Sequence, residues 1–307
     1  MSKGKTTSSR KQKILVYGIT GLLGSRIKDL LSEKYKIIAP PHSHLNLSKL
    51  KEVEKNIDET MPDQIVYAAG LTKVDYCQLH PKEAYALNFI AAKTIAQRAA
   101  PLGIPVHYIS TDAVFDGKKT QKPYRETDKT KPISVYGKSK LAGEEAILEA
   151  SPKNSVIRTI MLYSSSFPHK KDFARLAYES LKNGEKFIAL KDQIINPTLV
   201  DDLVHSIDKI LQKKASGVYH VAATDYTTNF EFVEKIAKAF KFDKGLIISE
   251  RFDEFFKDKP APRAKFCWLD IAKFEKEFGK NTLHTLDKSI TIFKKQIEKT
   301  PASPIDI

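Results

Sequence analysis

The stretch "KILVYGITGLLGSRIKDLLSEKYKIIAP" narrows the fold more than any other part of the chain. An apolar run from Ile14 to Tyr17 meets a glycine-rich turn, helical periodicity follows through Ile27, Leu30 and Leu31, and the short apolar run "KIIA" closes the unit. That is a βαβ pattern, which calls for a parallel sheet and a right-handed crossover. Within it Gly18, Gly21 and Gly24 are spaced G-x-x-G-x-x-G. The first permits a tight turn, the second lets backbone approach a pyrophosphate, and the third permits close packing of helix on strand. The helix N-terminus adds amide donors and positive potential for phosphates. Three glycines alone could be structural; in the first βαβ unit they point to a bound dinucleotide.

The alternation continues down the chain. A helix over roughly 48–59 leads to the strand "DQIVYAAG", one over about 81–101 leads to "PVHYIST", and the helix containing Tyr136 leads to "NSVIRTIML". Later, the amphipathic "LVDDLVHSIDKILQK" precedes the strand "GVYHVAA". The pattern predicts an α/β protein with a doubly wound parallel Rossmann sheet built from residues 14–162 and 196–222. Residues 163–195 and 223–299, with helical stretches such as "NFEFVEKIAKAFKF" and the proline-broken "KDKPAPRAKF", are expected to form a smaller α/β substrate-binding cap. Residues 1–13 read as a basic disordered tail and 300–307 as a loose end.

Open α/β sheets bind ligands outside the carboxyl ends of their strands. There "YAAG" (67–70), "ISTD" (109–112) and the loop before Tyr136 converge. The segment "SVYGKSKLAGEEA" puts Tyr136 and Lys140 on one helical face, with Cβ atoms roughly 5–6 Å apart. An ammonium there is expected to favour phenolate and lower the tyrosine's pKa from about 10, which suits proton transfer. Spacing does not single out this pair, because Tyr178 and Lys182 repeat it. Tyr178 falls outside the sheet pattern and reads as a surface or packing residue, whereas Thr111 gives Tyr136 catalytic company.

Composition removes other classes. The chain holds 51 Lys+Arg and 37 Asp+Glu for a formal net charge of +14. Outside the tail the lysines mix with acids, as in "LKEVEKNIDE", so a solvated surface is expected rather than a nucleic-acid groove. No apolar run reaches the roughly 18 residues of a membrane span. Cys77 and Cys267 form no CxxC or Cys/His cluster, and His42 and His44 lack a third ligand, so a reducing, cytoplasmic setting and no metal site are expected. No acid between Glu33 and Glu52 is placed to take the ribose hydroxyls, which favours NADPH. No arginine stands ready to grip a 2′-phosphate, so NADH stays open as an alternative.

In their order and spacing, "GITGLLG", "AAGLTKVDYCQLHPKEAYALN", "ISTDAVFDGKKTQKPYRETDKTKPISVYGKSKLAGEEA", "NPTLVDDL" and "GVYHVAA" resemble the extended short-chain dehydrogenase/reductases, and within them the dTDP-4-dehydrorhamnose reductase family. The resemblance spans residues 13–298. It implies Tyr136 as the catalytic acid, Lys140 as its partner and holder of the nicotinamide ribose, Thr111 as the hydrogen-bonding hydroxyl at the sugar's C4 oxygen, and Asp112 on the substrate side. It implies cofactor contacts from Gly21, Leu22 and Leu23 at the phosphates, Asn46 and Leu47 by the adenine, and Ala69, Gly70 and Leu71 along the third strand. Asn88 matches an asparagine that supports the active-site floor. Ala113 stands where the family commonly has tyrosine, and Met161 where it commonly has a tryptophan against the sugar.

The implied activity is NADPH-dependent reduction of a nucleotide-linked 4-keto-6-deoxyhexose, in dTDP-rhamnose and polysaccharide biosynthesis. The implied partners are the nucleotide-sugar substrate and a second copy of the chain in a homodimer. The sequence also resembles the methionine adenosyltransferase β subunit, a non-catalytic NADP-binding regulatory subunit. The superfamily further runs nucleotide-sugar 4-epimerases and dehydratases with the same Tyr/Lys pair. All three readings stand at this point.

Overall fold

The computed structural model describes residues 10–40, 46–165, 167 and 171–299. Its first half runs β1 (Lys13–Tyr17), α1 (Leu22–Leu31), β2 (Lys36–Ile38), α2 (Leu50–Thr60), β3 (Gln64–Tyr67), α3 (Val74–Leu79), α4 (Pro81–Tyr85), a π-helical turn (Ala86–Ile90), α5 (Ala91–Ala99) and β4 (Val106–Thr111). After a 3-10 turn at Asp112–Val114 come α6 (Val135–Ala150), β5 (Ser155–Thr159), α7 (Phe173–Lys182), β6 (Phe187–Leu190), β7 (Ile194–Ile195), α8 (Val200–Lys213) and β8 (Gly217–His220). The chain ends with β9 (Thr227–Thr228), α9 (Asn229–Phe240), β10 (Ile247–Glu250), α10 (Phe252–Phe255), α11 (Ala272–Phe278) and α12 (Leu286–Lys299).

Six strands form one parallel sheet in the order β2-β1-β3-β4-β5-β8. Side chains alternate across it, as strand geometry requires. Ile14, Val16, Val66 and Ile157 pack with α1 and α8 on one face, while Leu15, Tyr17, Ile65, Tyr67, Val106 and Tyr108 pack with α2 and α5 on the other. Both faces are therefore dry, which is why these strands read as continuous apolar runs. The strand order reverses between β1 and β3, and their carboxyl ends open the crevice used below.

A third core joins Tyr163, Ala174, Ala177, Leu181, Phe232, Ile236 and Phe293 beyond the sheet. Here β6 pairs with β10 in parallel and β7 with β9 antiparallel. The stretch after 223 does not pack only there. Cys267, Leu269, Ile271, Phe274, Phe278 and Leu283 return to the first face of the large sheet, driven by the apolar side of α11. At the amino end, Arg10 pairs with Asp63 at 2.8 Å and Lys13 already belongs to β1. The remainder of the expected basic tail, the 300–307 end, and His42 and His44 lie outside the described residues. Among the described residues no helix is long and apolar enough to cross a membrane, and no metal-holding cluster of His, Cys, Asp or Glu occurs.

Candidate active site

The glycine turn closes on itself through a Gly21 N–H to Gly18 carbonyl hydrogen bond of 3.0 Å. Helix α1 starts there with Gly21 as its first flanking residue and no side-chain cap, so its leading amides face outward for an anion. A Cβ built on Gly24 would lie 2.1 Å from the Gly18 carbonyl oxygen, so only glycine lets α1 sit this close to the turn. A cavity of about 480 Å³ opens beside it, lined by Gly18 to Gly21, Asn46, Leu47 and Ala68 to Leu71 among others. Its place at the reversal of strand order, its volume and its open amides fit a dinucleotide.

The helix expected over about 81–101 is interrupted by the π-helical turn, and that interruption carries Asn88. The wider turn leaves carbonyls that tyrosines take up: Tyr67 donates to Leu87 O at 2.6 Å and Tyr108 to Asn88 O at 2.7 Å. Asn88 is fully buried, accepts from the Leu71 amide at 2.9 Å, and donates to Leu71 O at 3.1 Å and Ser139 Oγ at 3.0 Å. One side chain thus ties the end of β3 to α6, the helix of Tyr136 and Lys140.

Ser134 caps α6 by accepting from the Gly137 amide at 3.2 Å. Gly137 is required for closeness, since a Cβ there would stand 2.1 Å from the Ala113 carbonyl oxygen. The first turn of α6 therefore presses on the segment after β4 and brings the Tyr136 phenol oxygen beside the Thr111 hydroxyl. Lys140 is buried; its Nζ donates to Ile109 O at 2.6 Å and lies 3.9 Å from the Tyr108 ring centroid. Burial pulls Lys140 down to about 7, with Glu144 one turn later working against that shift. Tyr136 is raised above the ordinary phenol value, first by burial, with Thr111 opposing and the charges of Asp112 and Cys77 adding. The expectation that Lys140 lowers this phenol is corrected: its ammonium is spent on Ile109 and Tyr108, and burial dominates. Tyr136 is accordingly held protonated, ready to donate.

A second cavity of about 800 Å³ brings Thr111, Tyr136, Lys140 and Met161 together with Gly21, Leu22, Leu23, Ala69 and Gly70. The two cavities share Gly21, Ala68, Ala69 and Gly70. Met161 has a left-handed φ of 40°, uncommon for a side chain of its size, and its neighbour Thr159 lines the same space. Two predicted residues are elsewhere. Gly24 is buried beneath the turn, and Asp112 is absent from the lining, its carboxyl accepting from Thr111 Oγ1 at 2.9 Å and from the Cys267 thiol. Asn46 reaches the first cavity, but its Oδ1 accepts from the amide and hydroxyl of Ser48. Sequence reasoning passed over Thr72, Thr159 and Lys171 in the second lining. Thr72 and Thr159 follow β3 and close β5, where the carboxyl-end rule would have found them.

Residues 12–294 match the family model described as RmlD substrate binding domain. A dTDP-4-dehydrorhamnose reductase of Sinorhizobium fredii (strain NBRC 101917 / NGR234) is 30% identical over 276 residues, covering 87% of this chain and 92% of its own. A methionine adenosyltransferase 2 subunit beta of Xenopus tropicalis is 27% identical over 282 residues, covering 86% and 82%. The solved dTDP-4-dehydrorhamnose reductase from Bacillus anthracis str. Ames in complex with NADP is 28% identical with a TM-score of 0.87, covering 94% of this chain and all of that one. The chain belongs to the RmlD substrate binding domain family, that of the dTDP-4-dehydrorhamnose reductases among the extended short-chain dehydrogenase/reductases.

Proposed function

We propose that this chain is an NADPH-dependent dTDP-4-dehydrorhamnose reductase, reducing the C4 ketone of a nucleotide-linked 6-deoxyhexose. The observation that carries the reading is the meeting of Thr111, Tyr136 and Lys140 in a cavity that shares its wall with the glycine-turn cavity. Gly18 and Gly21 with the α1 amides would hold the pyrophosphate, Ala69 to Leu71 the length of the dinucleotide, Asn46 and Leu47 its adenine, and Lys140 its nicotinamide ribose. When bound, NADPH supplies the hydride that reduces the ketone carbon. Tyr136 protonates the oxygen as negative charge grows there, its raised pKa keeping the proton available. Thr111 steadies that oxygen by a hydrogen bond, and the fixed frame of Asn88, Ser139 and Gly137 holds both groups in line.

The substrate lies in the second cavity, with Met161 as a soft apolar wall. The residues beyond the sheet, centred on Tyr163 and Phe232, act as its cap. A cytoplasmic setting belongs to the same reading and accords with two free, buried cysteines. So does a homodimer, for which the exposed Leu79 and Ile90 are apolar anchors. The intact trio supports an enzyme over a regulatory subunit, even with Ala113 and Met161 replacing aromatics.

The test is consumption of NADPH, with NADH in parallel, by the purified chain given dTDP-4-dehydrorhamnose. Turnover that disappears in Tyr136→Phe is the expected result. Absence of turnover with tight NADPH binding would overturn the reductase reading in favour of a regulatory subunit. Interconversion of sugars without net cofactor loss would favour an epimerase.

A further inference from the structure

The Thr111 hydroxyl has one proton and two lone pairs to serve three neighbours. It donates to Asp112 Oδ1 at 2.9 Å and accepts from the Ala113 amide at 3.2 Å, and the Tyr136 phenol oxygen beside it competes for the same proton. We propose that Asp112 is a positioning residue whose protonation sets the direction of the Thr111 hydroxyl, and so decides whether Thr111 presents its proton to the substrate oxygen beside that of Tyr136. The proposal rests on the reductase reading above.

A carboxylate can only accept. With Asp112 ionised, the single Thr111 proton is committed to it and is withheld from the cavity side, where Tyr136 and the substrate oxygen stand. The Thr111 proton is then turned from the reacting oxygen. With Asp112 protonated, its O–H donates to Thr111 instead. The Thr111 proton is released toward the cavity, and both lone pairs are filled by Ala113 and Asp112. Tyr136 keeps its proton for the substrate.

The surroundings suit such a device. Asp112 follows β4 directly in the 3-10 turn and stands behind Thr111 rather than in the cavity wall. The groups acting on it are the Thr111 hydroxyl, its own and the Ala113 amide, the Cys267 thiol from the segment before α11, and the Tyr136 phenol of α6. Cys77 of α3 acts on that phenol and Asp116 on that thiol, while Lys140 is engaged with Ile109. Burial raises the carboxyl to about 7, against the hydrogen bonds that favour its ionised form. Both protonation states are thus populated near neutrality.

The experiment is the pH profile of kcat/KM for NADPH-dependent reduction, in wild type, Asp112→Asn and Cys267→Ala, with infrared titration of the protonated-carboxyl band in the same proteins. Wild type should lose on the order of tenfold as pH rises through neutrality. In Asp112→Asn the fall should become shallower, because Lys140, itself pulled down to about 7, then titrates alone. In Cys267→Ala it should move to higher pH, because the thiol hydrogen bond that favours the carboxylate is gone. The infrared band should titrate near neutrality in wild type and be missing from Asp112→Asn. An unchanged limb in Asp112→Asn, or no titrating band, overturns the proposal. Titration of the band without turnover in any protein would instead count against the reductase reading alone.

Discussion

Two Tyr-x-x-x-Lys pairs share one spacing and almost nothing else. In α7, Lys182 is exposed and lies 5.8 Å from the Tyr178 ring centroid, while Tyr178 packs against Phe240 at 4.6 Å and Phe242 at 5.7 Å. In α6, Lys140 is buried against Ile109 and Tyr108, and Tyr136 stands beside Thr111 at the wall of a cavity. The first pair is a solvated decoration on the cap core. The second loses most of its hydration, Lys140 wholly inside and Tyr136 partly so, which moves Lys140 and Tyr136 in opposite directions from their ordinary pKa values. Helical spacing sets which groups can meet, and burial decides what they can do.

The largest difference between the pairs should come from Tyr136→Phe, with turnover falling about 10²–10⁴-fold and NADPH affinity retained. Stopped turnover with unchanged cofactor titration is the expected pattern; a similar loss from Tyr178→Phe would erase the contrast. Lys140→Met should cost on the order of 10²-fold and also weaken NADPH binding, because this residue is proposed to hold the ribose as well. A loss confined to kcat would assign it to proton chemistry alone. A smaller effect follows from Glu144, whose carboxylate raises Lys140. Arg158 forks onto Glu144 at 2.6 and 2.9 Å, so Glu144→Gln alone would strand a buried cation at a cost of about 3–5 kcal/mol. The double variant Glu144→Gln/Arg158→Met avoids this. In it Lys140 should lose its proton at lower pH, so activity at pH 7 falls several-fold and the limb moves toward acid. A profile identical to wild type would separate the buried ion pair from Lys140.

Much of this was legible in the sequence because it depended on local pattern. The glycine spacing, the alternation of strands and helices, and the convergence of residues 67–70 and 109–112 with Tyr136 follow from periodicity and a topological rule. What was not legible depended on the third dimension. Asp112 sits one residue after Thr111, and nothing in "ISTD" tells that its carboxyl turns to Cys267, which lies far along the chain. The π-helical turn at Asn88 has its carbonyls taken up by tyrosine hydroxyls from β3 and β4, partners that no local pattern reveals. The return of Phe274 and Phe278 to the sheet was hidden because an amphipathic helix does not announce which core it joins. The direction of the Tyr136 shift was misjudged because the sequence fixes how near Lys140 can come, but not that a carbonyl and an aromatic ring would hold it.

The smallest effect is the most demanding test of the comparison. Tyr178→Phe with Lys182→Ala should leave turnover and its pH profile unchanged. A double-mutant cycle in chemical denaturation with Tyr178→Ala and Lys182→Ala, which removes the ring, should give a coupling of about 0.5 kcal/mol or less, as for a cation over an aromatic ring at an exposed site. The contact at 5.8 Å is near the far limit of such interactions, and Lys182 gives up little hydration to make it. Most of what Tyr178 contributes should instead come from its ring against Phe240 and Phe242, so Tyr178→Ala should destabilise the cap by about 1–3 kcal/mol where Tyr178→Phe does not. If Lys182→Ala alone shifted the pH profile, the charge on α7 would be acting at the cavity through the field rather than by contact. Since Lys182 is exposed and screening at physiological salt acts within about 8 Å, that effect should disappear as salt is raised, whereas the buried Lys140 should keep its influence.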